Sequence, residues 1–177
     1  MNRVNRNKIS QFPNSKIILL RLMNTWYHIS VWLHIVAGAF WIGGMLFLPL
    51  VLLPGIKNHP DRKNLLMATG LKFRFYGYIM LAVLLITGLL NIYFRGIPFS
   101  WKFFTEGHWG SLVSLKVILF LSMIMISLFH DQFVGRKAIQ EIGNNRQLKL
   151  IASWTGRILL IISLVMAYIG VLLSRGG

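Results

Sequence analysis

Residues 25–53 read TWYHISVWLHIVAGAFWIGGMLFLPLVLL and decide the fold. The stretch has no Lys, Arg, Asp or Glu, and about 20 apolar helical residues are enough to cross the roughly 30 Å hydrocarbon core of a bilayer. Three further long apolar runs follow, at 73–94, 111–130 and 151–174, each with one Lys or Arg. Because the connections are short, we predict an all-α membrane protein, an antiparallel four-transmembrane-helix bundle. The bundle forms one domain over residues 25–177, preceded by a basic tail or interfacial segment at 1–24.

The composition of the 177 residues supports a lipid environment. Hydrophobic residues make up 55% of the chain and charged residues only 13%, about half the charged share of a soluble domain. Lys and Arg total 19 against 4 acids, a net charge of +15, but the basic residues lie between apolar runs, as in bilayer proteins. The predicted partner is therefore the lipid bilayer and not nucleic acid. Cysteine is absent, which excludes disulfides, thiolate metal sites and iron–sulfur clusters.

Basic residues also predict the orientation of the spans. The first and third loops, 54–74 and 131–150, are richer in Lys and Arg than the second loop, 95–110. By the positive-inside rule, this places both termini outside a bacterial-type inner membrane. The basic residues of the segment 1–24 favour the opposite orientation.

Two ionisable residues within the predicted spans, His34 and Lys116, are the main candidates for function. They lie at similar depth in the first and third spans, which run in the same direction, so they can meet across the bundle. Gly38 and Trp41 share the helical face of His34. Neutral imidazole is the commonest axial ligand of haem iron, and a nearby glycine leaves room for a flat group. A hydrogen-bonded histidine and a snorkelling lysine are the alternatives.

Other candidates lie near the membrane surfaces. His108, Asn91 and Arg95 are expected on the same side as His34, where they can complete or line its site. A solvated loop for His108 and anchoring in the lipid headgroups for Arg95 are the alternatives. His130 is about 21 Å from Lys116 along the third helix, so it either serves a second site beside Arg74, Arg157 or His59, or caps that helix. The acidic residues lie in loops or at helix ends, which disfavours a proton-coupled transporter. The eight methionines form no cluster in the sequence of the kind that suits Cu(I).

The first span contains Leu33-His34, then Trp41, Gly43-Gly44 and a Leu-Pro pair, and this pattern resembles two families of membrane proteins. One is the copper-resistance protein D (CopD) family, and the other is HemJ, a membrane protoporphyrinogen oxidase thought to contain haem b. Further likenesses support the resemblance: Arg74-Phe75, Thr87-Gly88-Leu89-Leu90-Asn91, Leu115-Lys116, and Arg157 with the helix that follows it.

The resemblance implies a function centred on His34 and Lys116, which both families share. We expect a b-type haem-binding redox protein that transfers electrons, with the quinone pool or the subunits of a respiratory complex as partners, and with homo- or hetero-oligomers as further possibilities. Copper transport across the membrane and protoporphyrinogen oxidation are the alternatives. The expected cofactor is haem b, with copper second. The candidate metal ligands are His34, His108 and His130, and the candidate cofactor-binding residues are these three with Lys116, Gly38, Trp41, Asn91 and Arg95.

Overall fold

Four long helices dominate the computed structural model, which describes residues 13–98, 100–131 and 146–175. They are α1 (Pro13–Phe47), α2 (Arg62–Phe94), α3 (His108–Phe129) and α4 (Arg146–Ser174). No strand occurs in these three described ranges. The prediction of an all-helical protein is therefore confirmed for this part of the chain.

All four helices are long and apolar enough to cross a membrane. Most of their large apolar side chains point outward; Trp32, Ile118 and Ile161, for example, are 62%, 60% and 59% exposed. Water would disfavour so large an apolar surface, whereas lipid tails accommodate it. The chain is thus a multi-pass membrane protein in contact with the bilayer.

α1 begins and ends differently from the predicted span. It begins at Pro13, well before residue 25, so residues 13–24 of the segment expected as a tail or interfacial segment are helical and continuous with the first span. Residues 1–12 lie outside the described part. At its other end, Pro49 lacks the N–H needed for an ordinary helical bond. The chain widens there into a π-helical turn, Leu48–Leu52, and a short helical segment continues to Gly55.

The helices pack around four buried side chains, one from each: Trp41, Leu81, Met123 and Leu159. The Trp41 indole lies 3.1 Å from the position that a Cβ on Gly77 would occupy, so the glycine admits the ring. Trp41 Nε1 donates a hydrogen bond of 3.1 Å to Ser163 Oγ. This bond satisfies the buried indole and connects α1 to α4.

A short helix, Trp101–Thr105, connects α2 to α3. Ser100 caps it by accepting a bond from the Phe103 N–H at 3.3 Å. Ser114 of α3 donates to the Phe104 carbonyl at 2.8 Å, and Gly110 leaves space for the Phe103 carbonyl. The short helix is thereby held against the first turns of α3.

Candidate functional site

His34 is half-buried on α1 and faces α2. Its Nδ1 lies 2.8 Å from Thr87 Oγ1. The Thr87 hydroxyl donates its own proton to the Val83 carbonyl at 2.6 Å, so its oxygen is left to accept from Nδ1–H. This network assigns the proton to Nδ1 and leaves the lone pair on Nε2.

Thr87 is itself buried, at 3% exposure. Ser30 of α1 donates to the Thr87 carbonyl at 3.3 Å, so α1 and α2 are linked by two side-chain hydrogen bonds at this level. Gly88, the next residue, lies against the histidine: a Cβ on it would be 3.6 Å from His34 Cε1. The histidine is therefore held between a hydroxyl and a residue without a side chain.

Lys116 reaches the same region from α3. Its Nζ lies 3.0 Å from the position of a Cβ on Gly170 of α4, and its charge acts on His34. Within the described part of the chain it makes no hydrogen bond or ion pair. The structure thus brings His34 and Lys116 into electrostatic reach of each other, with all four helices contributing to their surroundings.

Arg95 lies just beyond the C-terminal end of α2 and joins three helices. Its Nε donates to Tyr27 Oη at 2.9 Å and its Nη1 to the Leu173 carbonyl at 3.1 Å. The guanidinium also lies 5.6 Å from the centre of the Trp109 ring. Asn91, one turn earlier on α2, has a buried Oδ1 without a hydrogen-bond partner among the described residues.

Gly38 and Trp41, predicted as cofactor-binding residues, have packing contacts in the structure. A Cβ on Gly38 would lie 3.9 Å from Leu84 Cδ2, while Trp41 lies in the core and bonds to Ser163. Both residues therefore pack α1 against neighbouring helices.

The other two candidate histidines lie at the two ends of α3. His108 is exposed and is the first residue of α3, and His130 directly follows the last residue of that helix. Burial lowers the pKa of His130 from its usual value of 6.5, and the neighbouring Asp131 partly opposes that change. No group of three or more His, Asp or Glu side chains able to hold a metal occurs in the described ranges.

A second polar cluster lies beside His130. It includes Arg74, which the second-site alternative named, together with Tyr78 and Asp131, which the sequence did not single out. Arg74 of α2 forms an ion pair with Asp131 at 2.5 Å, and Tyr78 Oη donates to the other Asp131 oxygen at 3.2 Å. The signal available in the sequence was weak: a basic and an acidic residue near helix ends on the same side. Their pairing depends on how α2 and α3 pack.

The site and fold define a multi-pass helical membrane protein with a histidine and a lysine within its spans, the lysine having no partner among the residues that the structure describes. The chain is 34% identical over 148 residues to a protein of Aquifex aeolicus (strain VF5) described as an uncharacterized protein, and the match covers 82% of this chain and 94% of that one. The chain belongs to the same family as this protein. No family model and no solved structure matches it.

Proposed function

We propose that the protein is a membrane-embedded b-type haem-binding redox protein, with His34 as axial ligand. The proposal rests chiefly on the hydrogen bond between His34 Nδ1 and Thr87. Metal-bound histidines typically donate their second ring N–H to such an acceptor, which fixes the tautomer and directs the other nitrogen at the metal. His34 Nε2 has the lone pair that this role requires.

The surroundings of His34 are compatible with a haem. Gly88 and Gly170 present no side chains to His34 and Lys116, and the buried Asn91 Oδ1 lacks a partner in the described part of the chain. A bound haem supplies reversible one-electron transfer. The chain's own residues would hold and orient it. Thr87 would fix the orientation of the His34 imidazole, and Lys116 would place a positive charge beside the cofactor.

We further propose that the four spans form an antiparallel bundle with both termini outside a bacterial-type inner membrane. Three contacts between α1 and α2 support this arrangement, since residue numbers rise along one helix as they fall along the other. The contacts are Gly44 with Phe73, Trp41 with Gly77, and His34 with Gly88. The cluster around His34 then lies toward the outer leaflet.

The proposed electron partner is the quinone pool, or another subunit of a respiratory complex. A groove of about 380 Å³ lies between α1 and α2, with Ser30 and Thr87 among its otherwise apolar lining residues. Such a groove suits an apolar molecule that arrives through the lipid. Because Thr87 also bonds to His34, a molecule in the groove would contact the residue that holds the proposed haem ligand.

An absorption spectrum tests the haem proposal. The protein, produced with ample haem and purified in detergent, should show a Soret band and the sharp α-band of reduced low-spin haem b. His34→Ala should lose these bands, because the iron loses a strong-field nitrogen. His28→Ala, which alters an exposed histidine on the same helix, is the matched control. A colourless protein with His34 intact would refute the proposal.

Copper handling is the second candidate, and one observation favours it. Met45 and Met166 pack against the core that contains Met123, so three methionines distant in the sequence contribute to one core. Thioethers suit Cu(I). Anaerobic titration of Cu(I) into the wild type and, separately, into a Met123→Leu variant tests this proposal. Stoichiometric binding by the wild type that the variant loses would support copper handling. Binding no greater than in detergent alone would exclude it.

A further inference from the structure

Lys116 and Arg95 lie against the same turn of α4. Lys116 Nζ lies 3.0 Å from the Cβ position of Gly170, and Arg95 Nη1 bonds to the carbonyl of Leu173. Three residues of helix rise about 4.5 Å. Lys116, which is partly buried, and Arg95, which is exposed, therefore contact positions one turn apart at the same end of α4, and the charge of Arg95 acts on Lys116.

No carboxylate balances this pair within the described part of the chain. Each described acidic side chain has another partner: Asp61 bonds to Asn64, Glu106 pairs with Lys102, and Asp131 pairs with Arg74. The contacts of Arg95 are a phenol, a carbonyl and aromatic faces, all of them uncharged. Lys116 has no such contact.

Two like charges near the apolar part of a membrane are costly unless an anion joins them. Charge-assisted hydrogen bonds from Arg and Lys to an oxyanion are short and strong. Arg95 has donors left over after its bonds to Tyr27 and Leu173, because a guanidinium has five N–H groups. The Lys116 ammonium has three donors, so the pair can enclose a carboxylate.

We propose that Lys116 and Arg95 bind a carboxylate of the porphyrin whose iron His34 ligates, an inference that rests on the proposed function. The porphyrin carboxylates then lie at the end of the spans and the ring lies deeper, beside His34 and Gly88. Lys116 contributes charge to this site, and its amine is not a metal ligand.

Metal-free protoporphyrin IX and its dimethyl ester form the matched pair of probes. Neither contains iron, so ligation by His34 makes no contribution and only the carboxylates differ. Binding to the purified protein in neutral detergent is measured by porphyrin fluorescence and by quenching of tryptophan, since Trp109 lies against Arg95. We expect the free acid to bind about tenfold or more tightly than the ester.

Variants of the two cations complete the test. Lys116→Met and Arg95→Gln should each reduce the preference for the free acid severalfold, and Lys116→Arg should retain most of it because it keeps the charge. Lys72→Met, which removes an exposed cation elsewhere on α2, should leave the preference unchanged.

Three results would overturn the inference: equal binding of acid and ester, binding of neither, or loss of the preference when one equivalent of anionic phospholipid is added. The last would assign the cations to a lipid headgroup. Failure of the haem proposal would give a different result. A protein that prefers the free acid but forms no low-spin haem would refute His34 as an axial ligand and still support the carboxylate site.

Discussion

The protein has two polar clusters that differ in how their charges are satisfied. The Asp131 cluster, formed by Arg74, Tyr78 and Asp131, is complete: the carboxylate accepts from both partners. The His34 cluster, formed by His34, Thr87, Asn91, Arg95 and Lys116, is incomplete. In its described surroundings Lys116 has no acidic partner, and the buried Asn91 Oδ1 has no donor.

This difference separates a structural role from a functional one. A charged side chain with an oppositely charged neighbour stabilises the folded protein or destabilises it little. An unpaired polar or charged group within a membrane lowers stability, so such groups are usually found where they serve function. Substitutions in the Asp131 cluster should therefore lower stability and leave ligand binding intact. Substitutions in the His34 cluster should weaken ligand binding, and only the removal of the unpaired Lys116 charge should also raise stability.

The largest effect on stability is expected from Asp131→Asn. The substitution leaves the Arg74 guanidinium without its counter-charge, and removing one partner of a fully buried pair costs about 3–5 kcal/mol. Because the two side chains are 27% and 24% exposed, we expect a smaller loss, about 2 kcal/mol. Thermal unfolding in detergent measures it.

A double variant and an exposed aspartate provide the controls for this change. Arg74→Gln combined with Asp131→Asn should cost less than the sum of the single changes, because neither charge is then stranded. Asp61→Asn, at an exposed turn, should be nearly neutral. An unchanged unfolding temperature for Asp131→Asn would show that the ion pair contributes nothing to stability.

Thr87→Val should weaken haem binding about 10- to 100-fold, the usual range when the partner of a metal-bound histidine is lost. Valine has nearly the same shape but cannot accept from Nδ1–H, so His34 loses the bond that fixes its tautomer. Thr25→Val removes a comparable hydroxyl, bonded only to the Arg21 carbonyl on its own helix. If both variants bind haem as the wild type does, Thr87 does not orient the histidine.

Much of the fold could be predicted from the sequence, because span length and apolarity are properties of single segments. The prediction of four spans needed no knowledge of packing. The beginning of α1 could not be placed, since residues 13–24 contain both polar and apolar positions. The π-helical turn at Leu48–Leu52 could be suspected from Pro49, but the form of the distortion depends on the backbone around it.

The site was less accessible to sequence reasoning because it depends on how the helices are rotated. His34 and Lys116 were detectable as ionisable residues in apolar runs. Thr87 stood out in the sequence only as part of the stretch Thr87-Gly88-Leu89-Leu90-Asn91, and its bond to His34 depends on the packing of α2 on α1. Trp41 shared the helical stripe of His34, yet its contacts are with the core.

Lys116→Met should have opposite effects on stability and on binding. Removing an ammonium that lacks a partner should stabilise the ligand-free protein by about 1 kcal/mol, a part of the cost of such a charge within a span. It should also weaken retention of haem, whereas Lys116→Arg preserves charge without a usable lone pair. If both variants lose the low-spin spectrum, Lys116 is a ligand. Lys72→Met is the control for the loss of a cation. If Lys116→Met changes neither the spectrum nor the haem content nor the stability, Lys116 only snorkels to the membrane surface.

The smallest expected effect concerns pH and His130, next to the Asp131 cluster. Burial lowers the folded-state pKa of His130 below 6.5, so between these two values the unfolded chain binds more protons than the folded one. The resulting stabilisation is complete above pH 6.5 and is lost as the pH falls toward the folded-state value. Thermal unfolding between pH 7.5 and 5 should therefore show a decline that is shallower in His130→Gln and unchanged in His59→Gln, an exposed histidine. Since the Asp131 carboxylate favours the protonated imidazole, Asp131→Asn should steepen the decline. Parallel pH curves for the wild type and the three variants would show that the titration of His130 does not contribute to the pH dependence of stability.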